Sequence, residues 1–372
     1  MQNNSIITTR QLYYLFVLSI IPINLLYIPG EPTNIVNQSA WIAAILATII
    51  AGAFLYYPLA VMGSHFPGLT IFQYSDKVAG RYFGKIFGGL ILYNIFELHC
   101  WTLRETAIFS SIIFPRTPDI VFLAMISLAT SFAAVKGLQL IGRLSDIFFP
   151  LGLIIFIFLT VMGASQISLD NLLPIVNSSP GSMVRATIVF LDWVTVGLSF
   201  GAMSAFVDHP ERLKAISMYG TAAAGLILVV FSIVTIGVYG TELVKLFSLP
   251  FLMLARSINI GFIFERVEAL LVAGWLAWLF MMALIMSYVN ALGIAQMFRL
   301  KDYRSLVLPE TILAIAYSMF QYKSYIEQAY LFGVAHLYYL SLSLALPLLL
   351  WIIYLVRFRK GRSYNKSPQL PG

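Results

Sequence analysis

The 372-residue sequence has few charged residues, and this scarcity excludes most soluble folds. Only 10% of its residues are Asp, Glu, Lys or Arg, whereas 60% are hydrophobic and the mean hydropathy is +0.87. A soluble domain carries roughly 25% charged residues. With a single cysteine, Cys100, the chain cannot form an internal disulfide. The composition therefore indicates a polytopic integral membrane protein.

Motifs that carry enzyme chemistry are also missing from the sequence. It has no glycine-rich phosphate-binding loop, no metal-ligand spacing and no nucleophile elbow. The net charge of +7 does not indicate nucleic-acid binding, because membrane topology and anionic head groups account for basic residues beside apolar runs. We therefore expect no enzyme activity, no cofactor, no metal and no nucleic-acid partner, but contact with membrane lipids.

What the chain does contain is about ten apolar runs of membrane-spanning length. A bilayer core needs roughly 20 apolar residues per helix. The first run lacks the pattern of a cleaved signal peptide, so we expect it to be retained as a helix. The predicted spans, numbered 1 to 10, cover residues 11–29, 41–63, 86–113, 119–135, 147–164, 187–207, 217–239, 268–295, 306–321 and 333–356.

Basic residues between these runs alternate in number from one connection to the next. Sixteen lie on one side of the predicted membrane and six on the other, and Arg104 lies within span 3. Since short cytoplasmic loops are enriched in Lys and Arg, both termini are predicted to be cytoplasmic, which fits ten spans. Residues 358–372 then form a basic cytoplasmic tail. We expect the whole chain, 1–372, to be one transmembrane domain.

Two predicted spans contain residues that interrupt helices. In span 1, proline removes an amide donor and asparagine brings a polar side chain to membrane depth. In span 6, glycine weakens the helix, although Gly197 and Gly201 also match a close-packing pattern. The segments concerned are Pro22, Ile23, Asn24 and Leu25 in span 1, and Val196, Gly197, Leu198 and Ser199 in span 6.

The positions of these segments favour a binding site. Spans 1 and 6 open two five-span halves, at about residues 10–165 and 185–357, and an odd number of spans inverts the second half. Interrupted helices at matching positions of inverted repeats are typical of a central site, where freed amides and helix ends hold charged ligand groups. We therefore predict an all-α membrane protein with 5+5 inverted repeats and broken spans 1 and 6.

Span 3 carries an unusual polar face. At 100° per residue its polar side chains fall within an arc of about 120°, wide enough to be a buried face. Tyr93 and Glu97 are candidate ligand contacts, because ionisable residues inside a membrane usually face protein or water. Arg104 and Glu105 could instead snorkel to the outer interface. The arc comprises Tyr93, Asn94, Glu97, Trp101, Arg104 and Glu105.

Other polar residues in spans 3 and 8 have two possible roles. Ser287 and Asn290 are spaced i, i+3 on one face of span 8. Hydrogen bonding to another helix is the default for such residues, and contact with a ligand or cation is the alternative. His99 lies opposite the polar arc without a second ligand at i+3 or i+4, so we expect it to bond a neighbouring helix.

Several short motifs, taken in order, resemble a known family. Thr8 and Gln11 form a Thr-x-x-Gln opening, Leu25-Leu26-Tyr27-Ile28-Pro29 closes span 1, a basic amphipathic segment covers 73–85, and Glu265-Arg266-Val267-Glu268 precedes a Trp-rich span 8. The sequence thus resembles the B subunit of spore germinant receptors, the GerAB-like spore germination proteins. That family is a branch of the amino acid–polyamine–organocation transporter superfamily. The resemblance covers essentially the whole chain.

This resemblance implies a LeuT-like fold with a small-molecule site between spans 1, 3, 6 and 8. It implies a place in the inner membrane of the endospore, beside an A-type membrane subunit and a C-type lipoprotein subunit. Germinants of such receptors are typically amino acids, and in some receptors sugars or nucleosides. By position, Pro22 to Leu25 match the break in helix 1 and Val196 to Ser199 that in helix 6. Related transporters favour glycines where this chain has Pro22 and Asn24, so Asn24 could crowd the site or bind a ligand carboxylate.

Three functions fit these observations. The first is a nutrient-sensing receptor subunit, in which a ligand selects one of two arrangements of spans 1 and 6. The second is a permease for an amino acid or amine, with Glu97 as proton carrier and Ser287 as a cation ligand. The third is a scaffold that keeps the transporter shape without a binding site.

Overall fold

The computed structural model describes residues 6–258 and 267–358. Nine helices within these ranges are long and apolar enough to cross a membrane. The helix in predicted span 9, Arg304–Gln321, is not among the nine, and it includes the charged residues Arg304 and Glu310. A count of ten spans and cytoplasmic termini therefore stay predictions. Glu265, Arg266 and the predicted tail from residue 359 onward lie outside the described residues.

Helices occupy every predicted span and are numbered accordingly. Span 1 comprises an α-helix, Thr9–Leu18, and a 3-10 helix, Pro22–Tyr27. A short helix, Gly30–Val36, follows it, and span 2 runs through Ala40–Ala51, a π-helical turn at Gly52–Tyr56, and Tyr57–His65. The remaining spans are Arg81–Ile113, Asp119–Lys136, Leu138–Ala164, Pro180–Thr195 with Phe200–Met203, Leu213–Leu246, Val267–Met297, Arg304–Gln321, and Tyr325–Leu340 with Ser341–Ala345 and Leu346–Phe358.

Span 5 begins at Leu138 rather than near residue 147. Its first turns are amphipathic, with Leu138 and Ile141 buried and Arg143 exposed, so they lack the apolar run that predicts a membrane helix. Asp146 in this segment accepts a hydrogen bond from the Gln11 side chain at 2.8 Å. The polar start of span 5 therefore fixes the entrance to span 1.

Spans 1 and 6 form the interior of the bundle. In their apolar stretches 72% and 94% of residues are buried, compared with 28% in span 5. An isolated parallel bridge joins Ile7 to Val207, and the Ile7 amide donates to the Phe206 carbonyl at 2.9 Å. The start of span 1 is thus fastened to the end of span 6. Cys100, in span 3, is a free and fully buried thiol.

The crossing of spans 2 and 7 yields a stability prediction. A Cβ atom added at Gly225 would lie 2.7 Å from the Cβ of Thr48, a clash that side-chain rotation does not relieve. We expect Gly225→Ala to lower the free energy of unfolding by about 1–3 kcal/mol through overpacking. The measurement is the thermal midpoint of the detergent-solubilised protein.

Gly52 supplies a matched control for that prediction. Its added Cβ would meet the Thr221 methyl group at 3.6 Å, an ordinary contact across the same pair of spans. Gly52→Ala shares the gain in helix propensity but not the clash. Equal midpoints for the two variants would contradict a tight crossing at Gly225.

Candidate functional site

The interruption of span 1 starts at its proline. The α-helix ends at Leu18 and the chain continues as the 3-10 helix Pro22–Tyr27. A proline ring crowds the carbonyl four residues earlier, which here belongs to Leu18. The interruption therefore starts before the predicted segment Pro22 to Leu25, which itself is buried in 3-10 conformation. The Pro22 carbonyl accepts a hydrogen bond from the Trp275 indole of span 8 at 2.7 Å.

The interruption of span 6 lies at the predicted residues Val196 to Ser199. One helix ends at Thr195 and the next begins at Phe200. The hydroxyl of Tyr56, from span 2, accepts a hydrogen bond from the Gly197 amide at 3.1 Å and donates one to the Val194 carbonyl. A phenol thus satisfies backbone groups that a continuous helix would pair internally.

The two interruptions lie against each other. A Cβ atom at Gly197 would be 2.7 Å from Cγ1 of Ile20 and 2.8 Å from the Tyr56 hydroxyl oxygen. The Asn24 amide reaches across from span 1 and donates to the Trp193 carbonyl at 3.4 Å. Glycine is therefore required at position 197 for spans 1 and 6 to meet.

A small cavity lies beside this junction. Its volume is about 20 Å³, which holds roughly one water molecule, whereas small-molecule pockets measure roughly 300–1,000 Å³. In this arrangement the cavity is thus too small for a small-molecule ligand. The cavity is lined by Ile23, Asn24, Leu98, Trp101, Asp192, Trp193, Val196 and Tyr339.

Only some of the predicted site residues line this cavity. Ile23, Asn24 and Val196 do so. Four others are buried in or next to the same interruptions but are not part of the lining, and the Ser199 hydroxyl has no hydrogen-bond partner among the described residues. These four are Leu25, Gly197, Leu198 and Ser199.

A carboxylate–imidazole–carboxylate triad joins the interruptions to span 10. Nδ1 of His336 lies 2.8 Å from the Asp192 carboxylate, and Nε2 lies 3.0 Å from that of Glu31. Asp192 precedes the interruption of span 6 and also lines the cavity, while Glu31 follows that of span 1. Sequence spacing does not relate the three residues, and the only signals were two ionisable residues inside apolar runs, Asp192 and His336.

The hydrogen bonds of His336 make the triad unsuited to bind a metal ion. Both imidazole nitrogens of His336 already face carboxylates, which leaves no free lone pair for a metal. Within the described ranges, no group of three or more His, Cys, Asp or Glu side chains is arranged to hold a metal ion. Two carboxylates against one imidazole leave negative charge at the cavity when both are ionised.

Tyr339 lines the cavity and also contacts Glu97. The Tyr339 hydroxyl lies 3.5 Å from the Glu97 carboxylate and accepts a hydrogen bond from the Trp101 indole at 3.1 Å. The Tyr338 hydroxyl lies 3.4 Å from the Glu97 carboxylate and 3.1 Å from the Tyr93 hydroxyl. Tyr93 and Glu97 therefore belong to a hydroxyl cluster between spans 3 and 10, next to the cavity but not part of its wall.

Arg104 is buried and paired rather than snorkelling. Only 5% of its surface is exposed, and its guanidinium contacts the Asp119 carboxylate and donates to the Tyr322 carbonyl at 2.8 Å. Its partner is thus Asp119 at the start of span 4. These contacts hold this part of span 3 against Asp119 and Tyr322.

Ser287 and Asn290 lie in a separate polar cluster, where they make the hydrogen bonds to another helix that are the default for such residues, and their contact with a ligand stays a prediction. Both donate hydrogen bonds to Glu310 of span 9, at 3.3 and 3.0 Å. His99 also bonds Glu310, at 2.8 Å, which confirms its expected role between helices. The i, i+3 spacing identified a common face of span 8, but it could not identify Glu310 as the group that this face meets. The contact of span 8 with the interruption of span 1 is made by Trp275, which donates a hydrogen bond to the Pro22 carbonyl.

Sequence comparisons identify relatives along almost the whole chain. A family model described as "Spore germination protein" matches residues 6–326. Spore germination protein KB of Bacillus subtilis is 23% identical, with 98% of each chain covered. Spore germination protein YndE of the same organism is 25% identical, with 79% of this chain and 82% of the relative covered.

Structural comparisons identify transporters of the LeuT-like fold. MhsT in complex with L-phenylalanine has a TM-score of 0.67 at 14% identity, covering 93% of this chain and 88% of MhsT. Mhp1, a nucleobase-cation-symport-1 family transporter in a closed conformation, has a TM-score of 0.68 at 12% identity, covering 95% and 78%. The predicted all-α LeuT-like membrane fold is therefore confirmed.

Proposed function

The chain belongs to the spore germination protein family, and from this premise we propose that it is the ligand-binding membrane subunit of a spore germinant receptor. The family and the transporter fold indicate a non-enzymatic integral membrane protein. In the proposal, a nutrient binds at the junction of spans 1 and 6 and starts germination. The receptor lies in the inner membrane of the endospore, with an A-type membrane subunit and a C-type lipoprotein.

The observation that carries this proposal is the meeting of two interrupted helices beside a buried carboxylate. Gly197 brings spans 1 and 6 into contact, and Asp192 lines the adjoining cavity. Interrupted helices at such a position are the general mark of a midplane binding site in transporter folds. A charged residue inside a membrane is a functional-site candidate for the same reason.

The cavity lining suggests what the ligand carries. Asp192 offers a carboxylate, and Trp101, Trp193 and Tyr339 offer aromatic rings around it. This combination attracts an organic ammonium group through charge and cation–π contact. The Asn24 amide is placed to donate to a ligand carboxylate once it leaves the Trp193 carbonyl. The lining thus favours an amino acid or amine over a sugar. The structure of MhsT contains an amino acid, L-phenylalanine, and this supports the same class of ligand.

Ligand binding and signalling are coupled through opening of the junction. The cavity holds about one water molecule, so a ligand must stabilise an arrangement in which spans 1 and 6 move apart. It can shift that equilibrium only by its differential affinity for the two arrangements. The A-type subunit would respond to the displacement of span 6.

A proton-coupled permease is the second candidate function. The contact of Glu97 with Tyr339 favours it, because a hydroxyl then links an ionisable carboxylate to the cavity. A scaffold without ligand is the third candidate, and the small cavity volume favours that one.

Purified protein in liposomes separates the three functions. We expect one or more members of a panel of amino acids, amines, nucleosides and sugars to bind saturably, without accumulating inside the vesicles under a proton or sodium gradient. Accumulation that collapses with the gradient would establish the permease instead. Absence of binding across the panel, together with normal germination of spores whose Asp192 is replaced, would favour the scaffold.

A further inference from the structure

A second cavity lies at the predicted cytoplasmic end of the bundle. It forms where a surface helix, Ile71–Ala79, meets the start of span 3 and the end of span 8. Its volume is about 380 Å³, within the range of small-molecule pockets, roughly 300–1,000 Å³. Four basic side chains contribute to its lining: Lys77, Arg81, Lys85 and Arg299.

Backbone packing holds these basic residues around one space. Gly80 has φ +86° and turns the chain from the surface helix into span 3. A Cβ atom at Gly84 would lie 2.6 Å from the backbone nitrogen of Asp76, so the two helices touch backbone to backbone there. The Thr70 hydroxyl bonds the Gln296 side chain and fastens the surface helix to span 8. The cavity walls are therefore fixed by close contacts rather than by the charged side chains.

The charge of this cavity is not balanced internally. Four cations face one carboxylate, Asp76, and the other polar lining groups are the amides of Gln73 and Gln296. Over the described ranges, none of the four basic residues takes part in an ion pair. Arg299 also has φ +55°, a left-handed conformation uncommon outside glycine. The arrangement is complementary to an anion with several acceptor oxygens.

Apolar side chains beside the cavity indicate where that anion comes from. Tyr82, Phe83 and Ile86, on the same first turns of span 3, are 83%, 67% and 57% exposed. Aromatic and apolar side chains next to basic ones are typical of the membrane interface. Basic pockets between helices on the cytoplasmic side bind anionic head groups. We propose that this cavity binds the phosphate-bearing head group of an anionic membrane lipid, with its acyl chains against Tyr82, Phe83 and Ile86.

The test measures lipid affinity of the full chain in detergent. Cardiolipin or phosphatidylglycerol is titrated while bound lipid is counted by native mass spectrometry, with phosphatidylcholine as the neutral lipid. We expect Lys85→Gln/Arg299→Gln to bind the anionic lipid about 25-fold more weakly, about fivefold for each basic residue at an anionic surface. The charge-conserving variant Lys85→Arg/Arg299→Lys should stay within about threefold of the unmodified chain, because the charges that attract the head group remain.

Arg143→Gln/Lys214→Gln is the matched control. These residues are exposed on the same predicted side, outside the cavity, and their replacement removes the same charge. The control should keep its lipid affinity. An equal loss in the control would mean general surface attraction and overturn the proposal. Displacement of the lipid by equimolar inorganic phosphate would mean a site for a soluble anion and overturn it as well.

Discussion

Gly197→Leu is expected to abolish ligand binding and germination while leaving membrane insertion intact. The first added carbon would already lie 2.7 Å from Ile20 and 2.8 Å from the Tyr56 hydroxyl. The remaining leucine atoms must push span 1 away and break the two hydrogen bonds that Tyr56 makes across the interruption. Because overpacking of this kind costs about 1–3 kcal/mol, the protein should still fold. We expect binding to fall by at least about a hundredfold, measured on purified protein and as germination of spores.

Gly181→Leu tests whether any leucine in span 6 has this effect. Gly181 lies in the first turn of the helix Pro180–Thr195 of the same span, and an added Cβ there meets no atom within 4 Å. Its variant should bind and germinate normally. Tyr56→Phe removes the hydroxyl without adding volume, and we expect an intermediate loss. Normal germination of the Gly197→Leu spores would remove span 6 from the binding site.

Asp192→Asn should weaken binding of an ammonium-bearing ligand by about tenfold to a hundredfold. A hydrogen bond to a charged group contributes about 1.5–3 kcal/mol, and asparagine keeps the shape of the residue while losing the charge. Folding should survive, since the asparagine oxygen still accepts a hydrogen bond from His336, which also retains Glu31. The measurement is the Kd of each ligand and of its analogue without the amino group.

Asp170→Asn is the control for that charge change. Asp170 is exposed in the connection before span 6, so its neutralisation should not alter binding. A purely structural role for Asp192 would weaken ligand and deaminated analogue equally, and that outcome would contradict direct recognition of the ammonium group. Loss confined to the amine-bearing ligand would support it.

The interruptions could be predicted because their causes are local. Proline removes a hydrogen bond from the interior of any helix, as Pro22 does in span 1, and Gly197 permits a close approach that no other residue allows. The fold of 5+5 inverted repeats followed from these two positions together with the apolar runs, and the family resemblance implied that this fold is LeuT-like. The start of span 5 at Leu138 could not be predicted from apolar runs, because its first turns are amphipathic and include the exposed Arg143.

The site itself was only partly predictable because its contacts join distant segments. Glu31, Asp192 and His336 appear in the sequence as three isolated residues, and only the folded chain brings them within 3.0 Å. The spacing of Ser287 and Asn290 correctly predicted that they share one face of span 8. It could not predict that this face contacts Glu310. Sequence spacing therefore identifies elements with unusual chemistry better than it identifies their partners.

The buried position of Cys100 has a practical consequence for following the proposed movement. A thiolate is the nucleophile that attacks thiol-reactive probes, and a thiol enclosed within span 3 is protected from them. Cysteines introduced at two exposed sites would then be the only ones to carry a nitroxide label, with no need to replace the native residue. Pulsed electron resonance on such pairs would give the separation of spans 1 and 6 directly, with and without nutrient.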